Sequence, residues 1–128
     1  MLRGKCECGA VRFEVADEFE YACHCHCSNC RAQTGSAFKT FGGVRRDKLR
    51  VTEGGDNLLV WGEEHANLTR CATCGSPLYA VVREGDWAHV GYGTLVDAPA
   101  LRPQKHIFVG SKAPWHEITD DLPQSDEY

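Results

Sequence analysis

The stretch CHCHCSNC, Cys23 to Cys30, constrains this chain more than any other feature, because it packs four cysteines and two histidines into eight residues. Soft ligands at that density point to a bound metal. A tetrahedral zinc takes four ligands, and the octet offers six. A site closed by four protein ligands is a scaffold, whereas one with a free position is the mark of an enzyme. Two further cysteine pairs lie outside the octet, in Cys6-Glu7-Cys8-Gly9 and in Cys71-Ala72-Thr73-Cys74-Gly75. The first residues, MLRGKCECG, lack the apolar centre of a signal peptide, so a reducing cytoplasm is the expected location. In that compartment eight cysteines read as metal or redox chemistry rather than as disulfides.

A length of 128 residues fits one domain, 1–128, with a modest core. The formal net charge of -4 argues against general nucleic-acid binding, which wants a basic surface. No apolar run is long enough for a membrane span. Between the scattered glycines the apolar stretches are short: VRFEV (11–15), AFKTFGGV (37–44), LRVTE (49–53), NLLVWG (57–62), PLYAVV (77–82), WAHVGYG (87–93) and HIFVG (106–110). Val11, Phe13 and Val15 share one face of a strand, and Arg12 and Glu14 the other. Short strands at this spacing predict a mainly β domain. SNCRAQTG (28–35) begins at a Ser cap and ends in Gly, which predicts one short helix. LVDAPALRP (95–103) reads as a surface loop. Phe108 and Trp115 are expected to pack on the core or line a cleft, and the acidic tail is expected to fray after Leu122.

CxxCG is a zinc knuckle: backbone N–H groups donate to the thiolates and the glycine supplies the positive φ that closes the turn. Cys71 and Cys74 therefore want two more ligands, and Cys6 with Cys8 is the remaining tidy pair. Such a four-cysteine site would tie the first strand to the middle of the chain. Lys5 and Arg70 are placed to offset its negative charge. The competing reading of CATC as a redox dithiol expects a helix after it, but Pro77 follows too early.

In the octet, two sulfurs on one zinc require Cα atoms no more than roughly 9.4 Å apart. On a strand Cys25 and Cys27 lie about 6.6 Å apart and Cys23 and Cys27 about 13 Å. Cys25, Cys27 and Cys30 are thus the best ligand set. Cys23 is left over, and His24 and His26 point to the opposite face. Three ligands with no obvious fourth suit a catalytic zinc; closure by Cys23, His26 or a distant histidine is the alternative.

GKCECGAVRFEV (4–15), CHCSNCRAQTGSAF (25–38), RCATCGSPLY (70–79), GTLVDAP (93–99) and HIFVGSKAPWHEITDDLP (106–123) together resemble the glutathione-dependent formaldehyde-activating enzyme family, which includes centromere protein V relatives. The resemblance implies several short coiled antiparallel sheets of the β-tent type organised around zinc. It implies a structural zinc on Cys6, Cys8, Cys71 and Cys74 and a second, labile catalytic zinc on Cys25, Cys27 and Cys30. It also implies a carbon–sulfur lyase that adds glutathione to formaldehyde, giving S-hydroxymethylglutathione, or that handles a similar thiol and aldehyde. Arg31, Lys39 and Arg83 are candidates for pairing with the thiol's carboxylates. Trp115 and His106 are candidates for lining the cleft, with a structural role as the other reading of His106. The alternatives to the lyase are a non-catalytic zinc module that binds a protein or nucleic acid, which the acidic C-terminus disfavours, and a thiol redox protein using Cys23 with Cys25.

Overall fold

The computed structural model describes residues 1–128. Ten strands and one helix follow in the order β1 (Leu2–Lys5), β2 (Arg12–Val15), β3 (Tyr21–Cys25), α1 (Ser28–Thr34), β4 (Lys39–Arg45), β5 (Leu49–Glu53), β6 (Leu58–Glu63), β7 (Ala66–Cys71), β8 (Pro77–Val82), β9 (Trp87–Gly91) and β10 (Lys105–Ile107). The fold is mainly β with a single helix, as the short alternating stretches predict. It has two sheets, a three-stranded one ordered β1-β2-β5 and a seven-stranded one ordered β10-β3-β4-β9-β8-β7-β6. Every pairing is antiparallel except that of β10 on β3, which is parallel.

Alternation builds the small sheet. Phe13 and Val15 are buried while Arg12 is exposed. Gly4 of β1 stands opposite Phe13, and a Cβ there would lie 2.1 Å from the ring. That close approach explains why a residue without a side chain sits in the strand. The inner faces of both sheets share one core, with Val11, Phe13 and Val15 from one side and Val44, Leu78 and Val90 from the other. Cys6 and Cys71 belong to the same core, so the sulfur ligands are set into it rather than onto the surface.

Four local expectations need correction. β1 and β7 are strands without a sequence signal: β1 has only four residues, and β7 is polar apart from Ala66, Leu68 and Cys71. Their neighbours supply the pairing. The cap of α1 is Cys27 rather than Ser28, because the Cys27 sulfur accepts the Cys30 N–H. β10 ends at Ile107 because Phe108 has a left-handed backbone, φ 55. The tail does not fray after Leu122. It runs beside β10, where His106 N donates to Pro123 O, Ser125 N to His106 O, Val109 N to Ser125 O and Phe108 N to Glu127 O. The 95–103 segment is a loop as expected, pinned by the Arg3–Asp97 pair at 2.9 Å. No helix is long and apolar enough to cross a membrane.

Candidate metal centres

Two groups of cysteine sulfurs converge, and each can hold a metal ion. The first is Cys6, Cys8, Cys71 and Cys74, whose sulfurs all lie within 4.8 Å of one another. Cys6 follows β1, Cys71 closes β7, and Gly75 takes the positive φ of 79° that the knuckle needs. The sulfurs of Cys6 and Cys8 are 3.6 Å apart and those of Cys8 and Cys71 3.8 Å. N–H groups surround this cluster. Val11 N donates to Cys6 Sγ at 3.3 Å, and Thr73 N, Cys74 N and Asn57 Nδ2 donate to Cys71 Sγ at 3.4, 3.5 and 3.7 Å. Donors aimed at sulfur favour the thiolate, the form that binds metal. A hydrogen bond with Ser76 likewise lowers Cys74 to about 5. Arg70 reaches the glycine of the knuckle. It donates to Gly75 O at 3.1 Å and to Gln33 O at 2.8 Å, which ties the knuckle to the end of α1.

The second group is Cys25, Cys27 and Cys30, also within 4.8 Å of one another, with no fourth Cys, His, Asp or Glu ligand atom in the group. Cys25 ends β3, Cys27 caps α1, and Cys30 lies in the first turn of the helix. The end of a strand and the start of a helix thus bring three sulfurs together over six residues. The donor set fits a soft divalent metal. The hydrogen bond from Cys30 lowers Cys25 to about 6, and Cys30 N donates to Cys27 Sγ at 3.3 Å. Cys23 stays outside. It is buried in an apolar patch with Phe41 and Ile107, and burial pushes its thiol up to about 12. All eight cysteines are free of disulfides.

The other face of β3 carries histidines. His26 is fully buried, and its Nε2 lies 2.8 Å from His106 Nδ1. His106 Nε2 donates to the Asp120 carboxylate at 2.9 Å. With that tautomer His106 Nδ1 accepts from His26 Nε2–H, and His26 Nδ1 is buried without a partner. Burial pushes His26 down to about 4, so it is neutral in the folded protein. His24 Nδ1 is 2.7 Å from the Thr40 hydroxyl.

The substrate candidates therefore separate. His106 is buried within the histidine chain rather than lining an open cleft. Trp115 is 70% exposed, edge-on to His116 on the histidine side, and does not join the core. Phe108 packs against the patch formed by Cys23, Cys25, Phe41 and Ile107. Arg83 stacks on Tyr21 and Trp87, with its guanidinium carbon 5.2 Å from each ring centre. Arg31 follows Cys30 on α1, and its Nε is buried without a partner. Lys39 is only 7% exposed and stands opposite Cys25 in the β3–β4 register. Nothing in the sequence announces that burial, since a lysine in AFKTFGGV reads as an outward residue. A cavity of about 370 Å³ opens beside α1, lined by Asn29, Ala32, Gln33, Trp61, Leu68 and Arg70.

Comparison with known proteins gives a consistent family. A family model described as glutathione-dependent formaldehyde-activating enzyme matches residues 1–111. A Halomonas elongata protein provisionally named as such an enzyme is 28% identical, over 92% of this chain and 81% of its own length. A Podospora anserina protein with the same provisional name is 34% identical over 70% of this chain, which spans only 42% of that longer protein. The crystal structure of a Rhodobacter sphaeroides protein shares the fold with a TM-score of 0.62 at 30% identity, covering 77% of this chain and 91% of that one.

Proposed function

This chain belongs to the glutathione-dependent formaldehyde-activating enzyme family, and from that premise we propose that it is a zinc-dependent carbon–sulfur lyase. It joins glutathione or a similar thiol to a small aldehyde such as formaldehyde, or cleaves the adduct. The observation that carries this reading is the three-sulfur group with no fourth protein ligand beside it. The four-sulfur group is the structural site in this reading, and its donors from both sheets make it a staple. In the reaction a thiol sulfur bonds to the carbonyl carbon, and the thiol proton ends on the carbonyl oxygen. A zinc held by Cys25, Cys27 and Cys30 would lower the pKa of a thiol bound to it and make it a better nucleophile at neutral pH.

The chain's own residues do the rest. Cys25 is acidified by the hydrogen bond from Cys30, whose own thiol is pushed up in return, so Cys30 is the ligand that must give up a proton when a metal binds. Cys27 fixes the start of α1 and with it the distance to Cys30. Phe41, Ile107 and Phe108 close the back of the site with apolar surface, which keeps water from competing there. Arg31 is the one substrate candidate next to a ligand in the chain, and we assign it the thiol's carboxylate. The test mixes zinc-loaded protein with glutathione and formaldehyde and follows adduct formation against the spontaneous rate. Acceleration supports the reading; a rate equal to the spontaneous one with a fully loaded protein sinks this substrate pair.

One observation favours the second reading, a non-catalytic zinc module. Leu59, Val60 and Trp61 are exposed on β6, at the open edge of the large sheet. Such a surface suits a protein partner. Wild-type catalysis that persists after Trp61→Ser would assign the edge no part in the chemistry.

A further inference from the structure

We propose that Lys39 is the resident counter-ion of the three-cysteine cluster and sets how tightly that cluster holds its metal. The inference rests on the reading of Cys25, Cys27 and Cys30 as a metal site. Lys39 opens β4 directly across from Cys25. Residues opposite one another in an antiparallel pair put their side chains on the same face, with Cβ atoms about 5 Å apart. The side chain is buried, yet Lys39 forms no ion pair with any carboxylate. Its one hydrogen bond goes from Nζ to Gln33 Oε1 at 3.3 Å. A buried ammonium without an anion is costly, by several kcal/mol in a typical interior. The sulfurs are the anions at hand. Cys25, Cys27 and Cys30 pack in one patch with Phe41, and the ammonium lies 5.9 Å from the Phe41 ring centre.

Charge balance favours the same assignment. Three thiolates around a divalent ion leave a net charge of about -1, which one ammonium cancels. The two clusters also differ in how they are neutralised. The four-cysteine group receives N–H donors from Val11, Thr73, Cys74 and Asn57. The three-cysteine group receives fewer, Cys30 N on Cys27 and Cys27 N on Cys25. A charged side chain stands where backbone donors are few. Burial also removes Lys39 from the set of hooks for a substrate carboxylate, the role its sequence position suggested. Gln33 holds the ammonium in place and is itself anchored at its carbonyl by Arg70. Lys39 is in this sense a positioning residue: it acts through the ligand sulfurs.

The test compares wild type, Lys39→Met and Lys39→Arg by competing bound zinc with a chromophoric chelator, and by cobalt substitution read from the thiolate-to-cobalt charge-transfer band. Lys39→Met is expected to weaken the second site about 10- to 100-fold, the usual effect of losing an outer-shell partner. The first site should be unchanged, and Lys39→Arg should recover most of the loss. Equal affinity in Lys39→Met and wild type would overturn the proposal, as would an arginine variant no better than methionine. If Lys39→Met does not fold, judged by loss of the first metal as well, Lys39→Gln carries the same comparison. A wild type that binds one metal per chain overturns the metal reading of the cluster and this proposal with it. Two metals with unmoved affinity overturn the role of Lys39 alone.

Discussion

Cys23 and Cys25 are two residues apart on one face of β3, and their thiols are driven in opposite directions. Burial holds Cys23 near 12, while the hydrogen bond from Cys30 brings Cys25 to about 6. The thiolate is the reactive form and the two sulfurs are equally buried, so in metal-free protein treated with iodoacetamide at neutral pH any label on this strand should reach Cys25 before Cys23 by peptide mass mapping. Label on Cys23 first would contradict the assignment. Cys23→Ala should likewise leave the metal count unchanged, whereas Cys27→Ser should lose one metal and keep the other. His89 adds a pH dependence. It lies 2.6 Å from the Tyr21 hydroxyl, and burial, with the charges of Lys39 and Arg83, pushes it down to about 4. The unfolded chain takes up that proton near pH 6.5, while the folded protein resists until about 4. The stability linked to His89 is complete above about pH 6.5 and is lost as pH falls toward 4. His89→Gln should flatten the fall in urea midpoint across that window relative to wild type; parallel curves would remove His89 from the acid sensitivity. At this scale the sequence was readable where backbone geometry decides. The rise of a strand excludes Cys23 from the cluster, and alternation turns His24 and His26 away. Lys39 and His89 were not readable, because burial depends on partners that spacing does not name.

Elements form here by pairing as much as by their own pattern. β2 and β5 announce themselves by alternation, and both appear where expected. β1 does not, since it has four residues and only Leu2 and Gly4 turn inward. What fixes β1 is its register on β2, where Gly4 leaves room for the Phe13 ring. Phe13 is only 1% exposed and cannot swing aside. Gly4→Ala, which puts a Cβ 2.1 Å from that ring, should cost about 1–3 kcal/mol in urea unfolding. Gly55→Ala, whose nearest new neighbour is 4.0 Å away, serves as the control and should cost far less. Equal losses in the two variants would mean that the close approach is not what holds β1 in place. The helix shows the converse case. SNCRAQTG marks it correctly, but its cap is a cysteine because the same sulfur serves the cluster and the Cys30 N–H.

For the whole molecule the two sulfur groups divide the labour of holding the chain. The four-cysteine group joins the small sheet to β7 and the turn before β8, where the core is continuous. The three-cysteine group sits at the end of β3, beside the β10 margin of the large sheet, with the Arg70–Gln33 bond between the two groups. The tail completes that margin through backbone bonds from Pro123, Ser125 and Glu127 and through the Asp120 carboxylate on His106. None of this is written in the side-chain pattern of DDLPQSDEY, which reads as solvated because a strand-like partner made by main-chain groups leaves no apolar trace. A chain stopped after Thr119 loses those bonds, at about 0.5–1.5 kcal/mol each, and leaves His106 without its acceptor. The loss should fall unevenly. β10 loosens first, β3 loses its outer neighbour, and Cys25 is the ligand at the end of β3. The truncated protein should therefore melt several degrees lower and release its second metal to a chelator at urea concentrations where the first is still held. Simultaneous release of both metals, in a single transition shared with the loss of β signal, would show instead that the two margins unfold as one body.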